Sequence, residues 1–278
     1  MIITDKFVLL AFPKTGSSYT TSVLRNIHAR RSLRGRLWPL AWQKRDFHRP
    51  GYREHRVFQP AAPPYNKARM SRHGTWRDIP EADRNKKLVS VTRDPFSRYT
   101  SAYLFQGRMR KNMRPVADLA VLQAAYPDYP ELSFRDYYEM LHRFEVPSEL
   151  GDARPAMDLG SHTVSFIRFY FRDPETVFKR ISPAYIQDKA YRQDMAEIQF
   201  LHQESLREEF TLFLRDMGYG ENECQRAGGL KQKNVATRSD QESNLAYFYD
   251  AELRQKVLQR DALIFDMFPE YAKPWPVD

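Results

Sequence analysis

Phe7-Val8-Leu9-Leu10-Ala11-Phe12-Pro13-Lys14-Thr15-Gly16-Ser17-Ser18 opens on an unbroken apolar run and closes on hydroxyls. Without polar alternation, Phe7 to Phe12 reads as a strand buried on both faces, the kind found in parallel sheets. Pro13 ends it. From Ser17 to about Arg30 the pattern turns helical, because Ser17 or Ser18 can cap and Val23, Leu24 and Ile27 share a face. The order is therefore strand, tight turn, helix.

Working outward, the same order recurs. Lys87-Leu88-Val89-Ser90-Val91-Thr92 reads as a second strand, and Asp94-Pro95 then opens a helix through Tyr99 and Tyr103 to near Gly107. Helices are expected over Ser133–Phe144 and Ser161–Phe171, the latter bounded by Asp173-Pro174. Ile198 to Leu201 is a third strand. The helix after it, Ser205 to Met217, places Leu206, Phe210, Phe213 and Leu214 on one face, and Gly218 is set to end it. A last helix is expected from about Asp250 to Phe268 with Leu253, Val257, Leu258, Leu263 and Phe265 toward the core. Alternating strands and helices give an α/β class with a central, mainly parallel sheet flanked by helices, in one domain over 1–278. Between them, about 31–77 lacks a period and carries Trp38, Trp42, His48, His55 and the Pro60 to Pro64 cluster. It reads as an irregular excursion with at most a short helix, serving as an acceptor-side loop or lid.

Composition bounds the partners. The 278 residues are 42% hydrophobic, enough for a sizeable core, and 44 Lys plus Arg against 35 Asp plus Glu leave a formal charge of +9. That surplus suits a phosphorylated nucleotide, an acidic glycan, anionic lipid or nucleic acid, and equally a merely soluble basic surface. No nucleic-acid-binding module or dense basic helix is recognised, so no nucleic-acid partner is expected. The single cysteine, Cys224, rules out an internal disulfide and reads as an inert thiol in a reducing compartment. Asp5 and Lys6 interrupt the apolar start, and no segment approaches the roughly 20 apolar residues of a membrane span. The expectation is a cytoplasmic protein.

A turn between a buried strand and a helix start offers unpaired backbone N–H groups and the positive end of the helix dipole, which together bind phosphate. Gly16 lets the backbone approach an anion, Thr15, Ser17 and Ser18 add hydroxyls, and Lys14 supplies a mobile charge. The bland alternative is a hydroxyl-rich helix start with a solvated lysine. The turn is not the nucleoside triphosphate loop GxxxxGK[ST], because Lys14 precedes the only glycine. Pro13-Lys14-Thr15-Gly16-Ser17-Ser18 instead resembles the 5′-phosphosulfate loop of sulfotransferases that use 3′-phosphoadenosine-5′-phosphosulfate (PAPS). The resemblance implies a P-loop-like sulfotransferase fold, a loop that holds the 5′-phosphate and sulfuryl group, and Lys14 acting on the bridging oxygen as it leaves.

A second stretch extends that resemblance. Arg93-Asp94-Pro95-Phe96-Ser97-Arg98-Tyr99-Thr100-Ser101 after the second strand resembles the family's 3′-phosphate motif, which would make Arg93 and Ser101 the 3′-phosphate ligands. A basic loop, Lys231-Gln232-Lys233-Asn234-Val235-Ala236-Thr237-Arg238, resembles the late segment that folds over the nucleotide, with Lys233 and Arg238 on the 3′-phosphate side. It lacks the Arg-Lys-Gly signature of many cytosolic members, and solvated loop charges explain it as well. For the base that takes the acceptor proton, His73 in Ser71-Arg72-His73-Gly74-Thr75-Trp76 leads, since a His-x-Thr element there resembles one in carbohydrate sulfotransferases. His162, in Gly160-Ser161-His162-Thr163, is the other candidate, as base or as an acceptor-orienting group.

The resemblance thus implies transfer of a sulfuryl group from PAPS, with 3′-phosphoadenosine-5′-phosphate (PAP) as product, to a hydroxyl of a saccharide acceptor, with no metal required. Lacking a membrane anchor, the chain would be a bacterial-type cytoplasmic enzyme or the trimmed catalytic domain of a Golgi one. Two other classes stay open. A Mg²⁺-dependent nucleotide phosphotransferase would need a strand-end Asp, and Asp94 is available; a non-catalytic nucleic-acid-binding protein would use the charge alone.

Overall fold

The computed structural model describes residues 1–30, 48–49, 51–59, 69–108, 118–144, 155–229 and 245–273. Along the chain the elements are β1 (Ile2–Thr4), β2 (Phe7–Leu10), α1 (Ser17–Arg30), β3 (His48–Arg49), β4 (Tyr52–Glu54), β5 (Val57–Gln59), β6 (Arg69–Ser71), β7 (Lys87–Thr92), α2 (Pro95–Arg108), α3 (Leu119–Ala125), α4 (Phe134–Phe144), α5 (Ser161–Tyr170), α6 (Pro174–Arg180), α7 (Pro183–Gln187), α8 (Tyr191–Asp194), β8 (Ile198–His202), α9 (Leu206–Asp216), α10 (Glu221–Gly229), α11 (Ala251–Arg260) and α12 (Ala262–Met267). They divide into two compact units. The first comprises Met1–Phe58, Met70–Arg93 and Glu197–Ala236, and the second Gln59–Arg69, Asp94–Ala196 and Thr237–Asp278.

The first unit holds a six-stranded sheet in the order β3-β4-β1-β2-β7-β8. Three of its strands run parallel: β2 pairs β7 from Phe7↔Lys87 to Leu10↔Ser90, and β7 pairs β8 from Leu88↔Ile198 to Thr92↔His202. The Ser90 hydroxyl donates to Leu10 O at 2.9 Å and pins the central pair. On the other side β1 lies antiparallel to both β2 and β4, so the sheet is mixed. One face carries Phe7, Leu9, Val89, Val91 and Leu201, packed on Val23 and Ile27 of α1 and on Phe210 and Phe213 of α9. The Phe7 and Phe213 rings meet edge to face at 4.9 Å. Each such buried side chain contributes about 1.5–3 kcal/mol relative to exposure. Cys224 of α10 closes this core, fully buried, with its Sγ 3.7 Å from Tyr219 O. Burial pushes its thiol pKa up.

The excursion differs from the irregular loop expected. Of its described residues, β3 and β4 join the main sheet, while β5 and β6 form a separate ribbon. The strand Tyr52-Arg53-Glu54 escapes a period search because it is short and its polar residues are paired: Glu54 meets Arg25 and Arg53 meets Asp83.

The second unit is built of α2 to α8, α11 and α12, with Phe96, Tyr99, Tyr138, Phe166, Phe178 and Ile264 among its buried side chains. The last helix breaks in two at Asp261, whose carboxylate accepts from Tyr99 Oη and from both N–H and Oγ1 of Thr163, each at 2.8 Å. Gly160 makes room for it, since a Cβ there would lie 2.5 Å from Asp261 Oδ1. Burial raises the Asp261 pKa, against the hydrogen bonds from Tyr99 and Thr163. Among the described residues no helix is long and apolar enough to cross a membrane.

Candidate functional site

The strands β2, β7 and β8 deliver their carboxyl ends to one edge of the first unit's sheet, the edge where ligands bind in open α/β sheets. Three segments leave it: the turn after β2, Arg93 after β7, and Gln203 after β8. Gln203 N donates to Thr92 O at 3.0 Å, which extends the β7–β8 ladder past the last paired residues.

The turn has a distinctive backbone. Lys14 lies at φ 68° and Gly16 at φ 92°, both left-handed, on either side of Thr15. Thr15 is fully buried and its hydroxyl donates to Phe12 O at 3.0 Å, so its side chain closes the turn inward rather than facing a ligand. Gly16 is needed for its φ and also for space: a Cβ would meet Leu206 Cδ2 at 3.1 Å and Gln203 Cγ at 3.4 Å. Tyr19 N donates to Gly16 O at 2.8 Å as the helix begins. The hydroxyls of Thr20 and Thr21 donate back to Ser17 O, and that of Ser22 to Ser18 O, tying the first turns together. Ser17 is buried and Ser18 half-buried at the start of a helix of 14 residues, whose first amides have no intrahelical acceptor.

Arg93 joins this turn directly. Its Nη1 donates to Lys14 O at 3.0 Å. His73 approaches from the other direction, with Nδ1 2.7 Å from Ala11 O at the end of β2. A carbonyl oxygen can only accept, so Nδ1 carries the proton, and a neutral His73 ring has its lone pair on Nε2. The backbone around it is fixed: His73 N donates to Ser71 Oγ at 3.1 Å, Thr75 N and Oγ1 donate to Asp78 Oδ2, and Gly74 is buried against Met1 and Val57. Lys14, Thr15, Gly16, Ser17, Ser18, His73 and Arg93 thus all belong to one unit.

Two other sequence candidates belong to the second unit. Ser101 is half-buried on α2 of the second unit. His162 is 1% exposed within that unit, its backbone N–H donating to Tyr99 Oη at 3.0 Å. Lys233 and Arg238 lie outside the described residues.

Two features of the edge had no motif to announce them. At the end of β8, His202 Nδ1 donates to Glu209 Oε1 at 3.1 Å, while Glu209 Oε2 accepts the His202 backbone N–H at 2.8 Å and Ser205 donates to the same carboxylate. Its register partner Thr92 is 2% exposed, and its Oγ1 has no hydrogen-bond partner among the described residues. The place of both at a parallel strand's carboxyl end was the available signal. Among the described residues no group of His, Cys, Asp and Glu is arranged to hold a metal ion.

No protein-family model matches the chain, and no curated protein or solved structure matches it either.

Proposed function

We propose that this chain is a sulfotransferase that receives PAPS at the β2–α1 turn and passes its sulfuryl group to a hydroxyl of a saccharide acceptor. The observation that carries the reading is the turn itself: Lys14 and Gly16 both left-handed, ahead of a long helix and bonded to Arg93 from the neighbouring parallel strand. Such a turn suits an anion with a leaving group, because a lysine stands beside amides whose positive potential is already oriented.

In the proposed reaction the acceptor oxygen attacks sulfur in line with the bridging oxygen of the phosphosulfate. The new S–O bond forms as the bridging S–O bond breaks, and PAP leaves with that electron pair. Negative charge grows on the bridging oxygen, where the Lys14 ammonium and the α1 amides stabilise it; losing one such donor costs about 3 kcal/mol of barrier. The acceptor proton passes to His73 Nε2, which is basic there because Nδ1–H is committed to Ala11 O. Arg93 supplies the cation for the 3′-phosphate. These groups provide the electrostatics without requiring a metal. A cytoplasmic setting goes with this reading, since the one cysteine is a buried free thiol.

Calorimetric titration with PAP, beside ATP with Mg²⁺ and adenosine 5′-phosphosulfate, tests the proposal. Metal-independent binding of PAP in preference to both controls is expected. Binding of ATP with Mg²⁺ and not PAP would replace the reading with a phosphotransferase.

A further inference from the structure

A lysine in the left-handed region is held there against its own preference, by about 1–2 kcal/mol for a residue with a Cβ. Such a conformation persists only where the surroundings over-determine it, and it clusters at functional sites. Lys14 at φ 68° is in this position, and the guanidinium of Arg93 bonds to the carbonyl of the same residue. The bond is charge-assisted and therefore stronger than a neutral one. Its anchor is firm, because Arg93 directly follows β7, which is laddered in parallel to β2 on one side and β8 on the other.

We infer that Arg93 is a positioning residue for the turn: by holding Lys14 O it keeps the Lys14 backbone left-handed and so sets where the lysine side chain leaves the chain. A guanidinium has five N–H donors in a planar fork, so it can serve more than one partner at once. In the sulfotransferase reading, on which this consequence rests, one side chain ties recognition of the 3′-phosphate to the shape of the loop that activates the 5′-phosphosulfate.

The test is hydrogen–deuterium exchange of nucleotide-free wild-type protein, Arg93→Met, Lys14→Asn and the double variant. Arg93→Met keeps the aliphatic stem and removes the donors; Asn at 14 tolerates the left-handed backbone at little cost. In Arg93→Met the peptide covering 10–18 is expected to exchange about tenfold faster, with the rest of the first unit unchanged. In the Lys14→Asn background the same substitution is expected to have a smaller effect, and PAPS turnover of Arg93→Met should lose kcat as well as gain KM. Wild-type exchange of that peptide in Arg93→Met, or an equal increment in both backgrounds, overturns the inference. Should Arg93→Met not fold, Arg93→Leu, which also lacks donors, takes its place, with the same two outcomes deciding. Titration of wild-type protein with PAP runs alongside: its failure would remove the sulfotransferase reading while the exchange data still decide the clamp.

Discussion

Replacing Lys14 by glycine and by alanine separates what its backbone costs from what its ammonium does. Both substitutions remove the charge, but only alanine keeps a Cβ at φ 68°. The left-handed conformation costs a residue with a Cβ about 1–2 kcal/mol, and glycine gives back about 0.5–1 kcal/mol through the freedom of its unfolded chain. The glycine variant should therefore be the more stable by about 0.5–1 kcal/mol, which for a urea m-value of about 2 kcal/mol/M is a midpoint difference of about 0.25–0.5 M. If the proposed reaction holds, release of PAP from PAPS should fall by about 10²-fold or more in both, because in that reaction Lys14 is the cation beside the leaving oxygen. Urea unfolding followed by circular dichroism gives the first number and a PAP-release assay the second. Equal midpoints for the two variants would show that the turn relaxes without strain, and wild-type turnover in a folded variant would end the catalytic role of Lys14.

Three further outcomes follow from the same geometry. Gly16→Ala should destabilise by about 1–3 kcal/mol in urea unfolding, from the forbidden φ and the contact with Leu206, and should weaken PAP binding. His73→Asn keeps a side-chain N–H for Ala11 O but has no proton-accepting nitrogen, so PAPS turnover should fall by about 10²–10⁴-fold while calorimetric affinity for PAP is unchanged; a proportional loss of both would make His73 structural. Burial raises the Asp261 pKa, so its contribution to stability is present at acid pH and lost as pH rises through the folded value. The difference in urea midpoint between Asp261→Asn and wild type should therefore grow in favour of the variant as pH rises above about 4, the ordinary carboxylate value, and a constant difference would deny the shift.

What could be read in advance was what repeats or clusters. The run Phe7–Phe12 announced a buried parallel strand because it had no polar alternation, Lys87–Thr92 was legible as a second strand, and the turn after each was visible from Pro, Gly and hydroxyl residues. The antiparallel side of the sheet was not legible, because β1 and β4 are short and their pairing is set by partners far along the chain, such as Ile3↔Arg53. The break at Asp261 was hidden for a similar reason: the apolar period runs on through it, and only the distant Tyr99 and Thr163 reveal why a carboxylate stands there. Within the site, residue types were legible and their bonds were not. Nothing in the order of residues 14 to 93 says that Arg93 holds a backbone carbonyl, or that Thr15 spends its hydroxyl on Phe12.

The burial of Cys224 turns the chain's one thiol into a built-in gauge. Sealed among Phe210, Phe213 and Tyr219 and reluctant to ionise, it can be alkylated only when the first unit opens. The rate at which a thiol reagent modifies native protein therefore measures that opening directly, without denaturant. Its slowing on addition of a nucleotide would report, through mass action alone, how tightly that nucleotide is held.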